Sequence, residues 1–359
     1  MLRKGYILSL MVLFISTLFL TSCSFNNKNV KDLQNSNSFK TVMITDIGGV
    51  NDQSFNQSAW EGLKELKNEL KEKVDISYVE PKQTMDYTLL LDKLADGDYN
   101  LIYAIGYALC DSLYDVSTLN LDKNFVMVDY DFGKDTPNNV ICVMFYSQEA
   151  AFLVGYIAGK TTKTNKVGFL GGIRGYIIDQ FEYGYKAGVN FAEKELNKKI
   201  EITTQYAESF TDVAIGKAIG TKMYNSGCDI VFHAAGPVGF GLIEAAKEHG
   251  TYAIGVDRDQ SDIDPDHVLT SAVKNVGKAV NLVCKSYLNG EKIAGKTLTY
   301  GAKEGCVGIP DNYRLMGKKT YDLALALLKK IKDGKISIGN KEVVIPYSKD
   351  TYQKYLSDT

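Results

Sequence analysis

The chain has 359 residues, and its 43 acidic and 41 basic residues give a formal net charge of −2. This near-neutral balance argues against a nucleic-acid-binding surface, because phosphate recognition needs a strong excess of Lys and Arg. The length exceeds what a single hydrophobic core usually takes, so two domains are expected.

The first 22 residues have the pattern of a secretory signal peptide. Arg3 and Lys4 precede an apolar run at 6–20 that is short for a membrane span, and LTSC at 20–23 resembles the bacterial lipobox. In that motif the cysteine is lipidated, which predicts Cys23 as the mature N-terminus. An ordinary signal peptide with an incidental cysteine is the alternative. Residues 23–39, rich in Asn and Ser, predict a flexible tether that holds the body on the extracytoplasmic face of the cell membrane.

From residue 40 the chain alternates between short apolar runs and amphipathic stretches. Strands are predicted at 40–45, 74–80, 99–106 and 124–130. Helices are predicted between them at 54–70, 85–96 and 109–119. Strands separated by helices of this length indicate right-handed βαβ units and a parallel sheet.

The same rhythm begins again near residue 165. Strands are predicted at 165–173, 200–207, 228–235, 251–257 and 268–273, with helices at 177–196, 211–225 and 238–250. A helix at 274–288 is expected to cross back to the first half, followed by extended chain at 297–309 and a last helix at 321–334. Two similar α/β halves predict a two-lobed binding protein. The predicted N-terminal lobe is 40–143 plus 273–293, and the C-terminal lobe is 144–272 plus 294–359.

Several local motifs lack the context that their chemistry needs. Residues 290–297 match the phosphate-binding pattern Gly-x-x-x-x-Gly-Lys-Thr, but a helix precedes them and a strand follows, the reverse of the required order. The acidic segment 257–266 has Asp262 where a calcium loop needs glycine. The histidines are not spaced as metal ligands. The spacing of the five body cysteines favours free thiols over a zinc site, although a single disulfide bridge between two of them remains an alternative. No nucleophile motif is present, so no metal, cofactor or catalytic residue is predicted.

What remains is a set of polar and aromatic residues at the carboxyl ends of predicted strands, where ligands bind in open parallel sheets. Carboxylates or glycine follow strands of both halves, and one aromatic in each half stands at or just before a helix start: Asp46, Asp129, Gly236, Asp257, Phe55 and Phe210. A lone aromatic at such a position more often packs against its own helix. A matched pair, one in each lobe, favours a ligand cleft instead.

These residues carry a family resemblance. TDIGGVNDQSFNQSAWEGL at 45–63 resembles the signature of the basic membrane protein family, the PnrA-like purine nucleoside-binding lipoproteins of ABC importers. Further similar segments include FVMVDY at 125–130, AAGPVGFG at 234–241, IGVDRDQ at 254–260 and TSAVKNVG at 270–277. The resemblance covers most of residues 40–309 and implies the periplasmic-binding-protein type I fold, with two parallel-sheet lobes joined by a hinge and a cleft between them.

The resemblance also implies a role for individual residues. Phe55 and Phe210 match the aromatics that sandwich the purine, and Asp129 matches the acid that accepts hydrogen bonds from the base. Asp257 matches the acid that receives the ribose hydroxyls, and Lys274 matches a lysine near the same sugar. Further contacts without a defined role are implied for Asp46, Asn56 and Gly236. Three points stay open: whether Pro237 narrows the ribose pocket, whether Asp259 helps Asp257, and whether Tyr103 and Tyr107 line the base side or belong to the core.

The function so implied is capture without chemistry. A purine nucleoside (adenosine, guanosine or inosine) binds between the lobes and favours hinge closure, and the closed form delivers it to ABC permease subunits. Two other functional hypotheses are compatible with the same fold. In these hypotheses the protein is either a surface lipoprotein that interacts with host components, or a receptor for another small ligand such as a sugar. An enzyme acting on nucleosides is the least supported alternative, since no nucleophile is evident.

Overall fold

Two six-stranded sheets organise residues 38–338, the part of the chain that the computed structural model describes. The predicted signal peptide (1–22), Cys23, almost all of the predicted tether (23–39) and residues 339–359 lie outside the described residues. We name the two halves of the body by their sheets, the first lobe and the second lobe.

The first sheet has the strand order β11-β5-β4-β3-β1-β2, and all of its neighbouring strands run parallel. Its four central strands are apolar runs buried on both faces, as parallel sheets covered by helices require, whereas the two edge strands are more polar and partly exposed. The strands are β1 (Phe39–Ile44), β2 (Val74–Val79), β3 (Leu101–Ile105), β4 (Phe125–Val128), β5 (Val140–Phe145) and β11 (Lys296–Tyr300). The helices of this lobe are α1 (Phe55–Leu70), α2 (Tyr87–Ala95), α3 (Cys110–Leu119) and α8 (Val276–Leu288), and α8 packs on α1.

The second sheet has the order β12-β10-β9-β8-β6-β7, parallel except for the short β12, which runs antiparallel to β10. The strands are β6 (Lys166–Gly171), β7 (Glu201–Tyr206), β8 (Ile230–Ala234), β9 (Tyr252–Asp257), β10 (Val268–Lys274) and β12 (Val307–Gly308). The helices are α4 (Ser147–Thr161), α5 (Tyr176–Leu196), α6 (Val213–Asn225), α7 (Val238–His249) and α9 (Lys318–Lys332). Helices α4 and α5 pack along each other, as do α6 and α7.

The structure corrects two sequence-based assignments. Residues 294–359 were placed in the second lobe, but β11 pairs in parallel with β5 and so adds an edge strand to the first sheet. The helix predicted at 274–288 begins at Val276, and Lys274 is instead the last residue of β10. The chain therefore passes between the lobes three times, after β5, after β10 and after β11, and these passages form the hinge.

The helices of each lobe approach closely because glycines stand where they cross. A Cβ added at Gly62 of α1 would lie 2.1 Å from the carbonyl oxygen of Gly277 in α8. Between α4 and α5, a Cβ at Gly155 would lie 2.1 Å from the oxygen of Tyr185. These contacts involve backbone, which cannot turn away as a side chain can, so both crossings require glycine.

Candidate functional site

A cavity of about 320 Å³ lies between the lobes, where the carboxyl ends of the two sheets face each other. Its walls come mainly from loops that follow strands, the expected ligand position in open α/β sheets. Seven of the eight predicted ligand-binding residues line it: Asp46, Phe55, Asp129, Phe210, Gly236, Asp257 and Lys274.

The eighth predicted residue, Asn56, does not line the cavity and is buried beneath it. Its side-chain amide donates to Asp46 Oδ1 at 2.8 Å and to Asp52 Oδ2 at 3.0 Å. Burial raises the pKa of Asp46 to about 6, and the Asn56 hydrogen bond opposes that rise. Asn56 therefore orients a carboxylate of the cavity wall from outside the lining.

Asp52 is a cavity residue that the sequence analysis did not single out. Its carboxylate accepts from the backbone N–H groups of Ser54, Asn56 and Gln57 at 2.8–3.0 Å, so it caps the start of α1. Ser54 occupies the N-cap position without a capping side-chain hydrogen bond. Because the Asp52 carboxylate caps the helix from two residues earlier, the Ser54 hydroxyl is available for a different hydrogen bond. Phe55 is then the first residue of the helix and lies at the cavity wall.

Five aromatic rings line the cavity, three from the first lobe and two from the second: Phe55, Tyr87, Tyr107, Phe181 and Phe210. Phe55 and Phe210 each lie beside a glycine. A Cβ at Gly172 would lie 2.2 Å from Cε1 of Phe210, and one at Gly106 would lie 3.4 Å from Cε1 of Phe55. Tyr107 also lines the cavity and meets Phe210 edge to face, with ring centroids 6.3 Å apart. Its neighbour Tyr103 is fully buried and donates to the carbonyl of Val280, so it belongs to the core.

Lys274 and Asp129 form a buried ion pair that joins the ends of β10 and β4, one strand from each lobe. The Lys274 ammonium lies 4.7 Å from the ring centroid of Phe55 and 4.8 Å from that of Phe145. Burial raises the pKa of Asp129, and the charge of Lys274 opposes this rise. The second carboxylate oxygen of Asp129, Oδ1, is buried without a hydrogen-bond partner in the described part of the chain. A carboxylate oxygen buried without a partner favours a ligand that supplies an N–H or O–H donor.

Asp257 forms a second link between the lobes at the cavity. Its Oδ2 accepts a hydrogen bond of 2.5 Å from the Ser54 hydroxyl, across the cleft. Burial raises the pKa of Asp257 to about 7, and Lys274 opposes the rise. Asp129 and Asp257 occupy matching positions directly after β4 and at the end of β9, with φ of 68° and 66°. Left-handed backbone at two non-glycine residues is a local strain that marks functional sites.

The structure gives the positions of Pro237 and Asp259, two residues whose roles the sequence left open. Pro237 lines the cavity and stands at the N-cap of α7, directly after Gly236, whose φ is 54°. Asp259 is exposed, accepts from the backbone N–H of Ser261 and is not part of the wall. It therefore does not assist Asp257 at the cavity surface.

Five carboxylates and one ammonium group set the charge of the cavity: Asp46, Asp52, Asp129, Glu208, Asp257 and Lys274. Such a wall disfavours anionic ligands and favours neutral ligands rich in N–H and O–H donors. Across residues 38–338 no cluster of His, Cys, Asp or Glu is placed to hold a metal ion. The arrangement is suited to binding through stacking and hydrogen bonds.

Comparison with known families agrees with this geometry. The family described as ABC transporter substrate-binding protein PnrA-like matches residues 39–349. The chain belongs to this family. The resemblance inferred from the sequence is thus confirmed, and the PnrA-like chain is a solute-binding protein of ABC transport, not an enzyme. Membership places it among membrane-associated, extracytoplasmic binding proteins.

Relatives extend over nearly the whole chain. Basic membrane protein A of Borreliella afzelii is 41% identical over 323 residues, which cover 89% of this chain and 95% of the relative. A CD4+ T-cell-stimulating antigen of Listeria innocua serovar 6a is 36% identical, with 94% and 99% covered.

The fold prediction is confirmed by a solved structure. An ABC transporter solute-binding protein from Aeropyrum pernix K1 superposes with a TM-score of 0.78, covering 89% of this chain and 97% of that chain, at 24% identity. At this identity the likeness supports the fold alone. In the described part of the chain, every helix is too short or too polar to cross a bilayer. The five cysteines of the same region carry free thiols.

Proposed function

We propose that this PnrA-like protein captures purine nucleosides, namely adenosine, guanosine and inosine, between its two lobes. The observation that carries the proposal is the buried, unpartnered Oδ1 of Asp129, held beside Lys274 in a cavity with an aromatic ring from each lobe. A purine base supplies what this environment lacks, a flat π-face for the rings and an N–H donor for the carboxylate. Stacking on an aromatic side chain contributes on the order of 1–3 kcal/mol per base in nucleic-acid binders.

In this proposal the base lies between Phe55 and Phe210 with its donor edge at Asp129. The ribose hydroxyls donate to Asp257 and contact Lys274, with Asp46 and Gly236 completing the wall and Asn56 holding Asp46 in place. The hydroxyls favour nucleosides over free bases, because a free base would leave Asp257 desolvated without a ligand partner. The acidic wall also disfavours phosphorylated forms.

We further propose that Cys23 carries the lipid anchor and that the closed form docks on an ABC permease. A tether of about 16 residues keeps the receptor beside its permease and raises the effective concentration of the complex.

Calorimetric titration of the purified chain tests the proposal. We expect saturable binding of adenosine, guanosine or inosine, and no binding of uridine or ribose. Phe55→Ala and Asp129→Asn should each weaken binding about tenfold or more, from the loss of one stacking face or one charged acceptor. Tyr313→Ala, which removes a half-exposed ring outside the cavity, is the matched control and should bind like the parent chain. Folded, ligand-stripped protein that gives no heat with all three purine nucleosides would contradict the proposal.

A further inference from the structure

A second cavity, of about 820 Å³, continues from the first one along the interface between the lobes. The two cavities share part of their walls, including Asp129, Tyr107 and Ile173. The second cavity is otherwise built from the loop after β4, the ends of β5 and β11, and the start of α5 with the loop before it. Nothing in the proposed contacts with a nucleoside uses this space.

The strand order fixes where the second cavity lies relative to the first. In the first sheet, the first cavity is bounded by the ends of β1, β3 and β4, through Asp46, Gly106 and Asp129. The second cavity is bounded by β4 and the next two strands toward the sheet edge, β5 and β11. Neighbouring strands lie about 4.8 Å apart, so the second cavity extends roughly 10 Å beyond Asp129. Asp129 stands at the boundary between the two.

The second cavity opens from the base side of the proposed ligand. Neither Asp257 nor Lys274, the two residues that we assign to the sugar, lines it, whereas Asp129 does. A base whose donor edge faces Asp129 therefore points that edge toward the second cavity. A substituent on the exocyclic amine of the base would extend into it.

The lining of the second cavity suits an apolar, flat or branched substituent. Six aromatic residues contribute to its wall: Tyr107, Tyr130, Phe132, Phe145, Tyr146 and Tyr176. Two of the charged groups there have partners. The Arg174 guanidinium stacks 4.1 Å from the ring centroid of Tyr206, and Asp131 accepts from the Thr297 hydroxyl at 2.6 Å. Aromatic walls of this kind gain affinity by burying apolar surface and by ring contacts.

We propose that the substrate class of this receptor includes purine nucleosides with an aryl or branched alkyl group on the exocyclic amine, and that the second cavity holds that group; this inference rests on the proposed nucleoside function. A singly substituted amine keeps one N–H for Asp129 Oδ1, so the recognition contact is retained while the substituent fills the adjoining space. The second cavity thereby widens specificity at the base without altering the sugar contacts.

Titration of the full chain with adenosine and with N6-benzyladenosine tests this proposal. We expect N6-benzyladenosine to bind within threefold of adenosine or more tightly. Thr299 lines only the second cavity and faces it from β11. Thr299→Trp, which fills this space, should weaken the binding of N6-benzyladenosine at least tenfold and leave the affinity for adenosine within threefold of the parent value. Thr299→Ala, the matched control, should leave both ligands within threefold.

The possible failures are distinguishable. Adenosine binding with N6-benzyladenosine weaker by more than threefold overturns the second-cavity inference and leaves the nucleoside function standing. The Thr299→Trp variant is first shown to be folded by a circular dichroism spectrum like that of the parent chain. In the folded variant, equal effects on both ligands, or no effect on either, also overturn the inference, because the substituent would then lie elsewhere. Absence of adenosine binding by the parent chain is a failure of the proposed function itself.

Discussion

At the scale of single residues, Lys274 is the group on which the cleft depends. It is the only cation that lines the first cavity among the described residues, and it is 1% exposed. It pairs with Asp129 and stands over the rings of Phe55 and Phe145. Its charge also lowers the pKa of Asp257, against the burial that raises it. One ammonium group therefore keeps two buried acids more ionised than burial alone would allow.

Lys274→Met should lower the free energy of unfolding by about 3 kcal/mol at pH 7, because it leaves Asp129 buried without its partner. The loss should shrink at pH 5. Without Lys274, burial raises the pKa of Asp129 in the folded protein further above its value in the unfolded chain. The loss of stability is therefore complete at a pH above the folded pKa, and it becomes smaller as the pH falls from there toward the unfolded pKa. Urea denaturation of both proteins at pH 7 and pH 5 measures the difference.

The double variant Lys274→Met/Asp129→Asn is the control for this prediction. It removes both charges, so it should recover most of the lost stability at pH 7. A loss that is the same at pH 5 and pH 7, and is not recovered in the double variant, would show a different cause. The packing of the Lys274 stem against the two rings would then be what matters.

The residues that line the cavity were easier to predict from the sequence than the residues that hydrogen-bond to them. Phe55, Phe210, Asp129 and Asp257 were recognisable because each stands in a motif or directly at the end of a predicted strand. Asp52 was missed, because capping by a residue two positions before the N-cap depends on loop geometry that no spacing reveals. Asn56 lies outside the cavity lining, and its sequence position does not reveal this, because adjacency in sequence does not tell which side of a helix start faces a cleft.

At the scale of elements, the strands and helices before residue 130 and between 165 and 257 agree closely with the predicted ones. Strand β5 was not predicted from the sequence. Its apolar run at 140–145 leads directly into the apolar helix α4, so hydrophobic periodicity shows no boundary between the two elements. It placed β11 in the wrong lobe, because short polar strands such as KTLTY carry no signal for their pairing partner. Edge-strand pairing is decided by tertiary structure.

Gly62→Ala should destabilise the protein by about 2 kcal/mol or more. The new methyl group would lie 2.1 Å from the Gly277 oxygen, and relief would require α1 and α8 to move apart within the first lobe. Gly308→Ala is the matched control, since its Cβ would lie 3.9 Å from a Leu328 methyl carbon at an ordinary φ. It should change the unfolding free energy by less than about 1 kcal/mol. Equal unfolding midpoints in urea for the two variants would refute the tight crossing of α1 and α8.

At the scale of the whole molecule, the lobes touch through protein contacts that need no ligand. The Ser54 hydroxyl donates to Asp257, and the Gln260 side-chain amide donates to the carbonyl of Gln53 at 3.1 Å. Both contacts join the loop before α1 to the segment 257–260 after β9. We call these two contacts the latch. The closed arrangement is therefore stabilised before a ligand binds, and the latch shares Asp257 with the proposed sugar site.

Ser54→Ala should shift the ligand-free protein toward an open arrangement. The lost hydrogen bond to a charged acceptor contributes about 1.5–3 kcal/mol, which corresponds to a roughly 10- to 100-fold change in the balance of closed and open forms. The variant does not lose a helix cap, because Asp52 provides it. Small-angle X-ray scattering at pH 8, where Asp257 is ionised, should show a larger radius of gyration without ligand and a larger contraction with adenosine. Adenosine affinity should fall, since the ligand must then supply the free energy of closure.

Arg258→Ala is the matched control, because it also removes a contact between the lobes, but an exposed one. The Arg258 guanidinium lies 3.6 Å from the Glu61 carboxylate, and both side chains are about one-third exposed. Ion pairs this exposed contribute at most about 1 kcal/mol to stability. Its scattering curve should match that of the parent chain. If Ser54→Ala also matches the parent, the Ser54–Asp257 hydrogen bond does not hold the lobes together. The Gln260–Gln53 contact and the Lys274–Asp129 pair at the hinge would then carry the closed form.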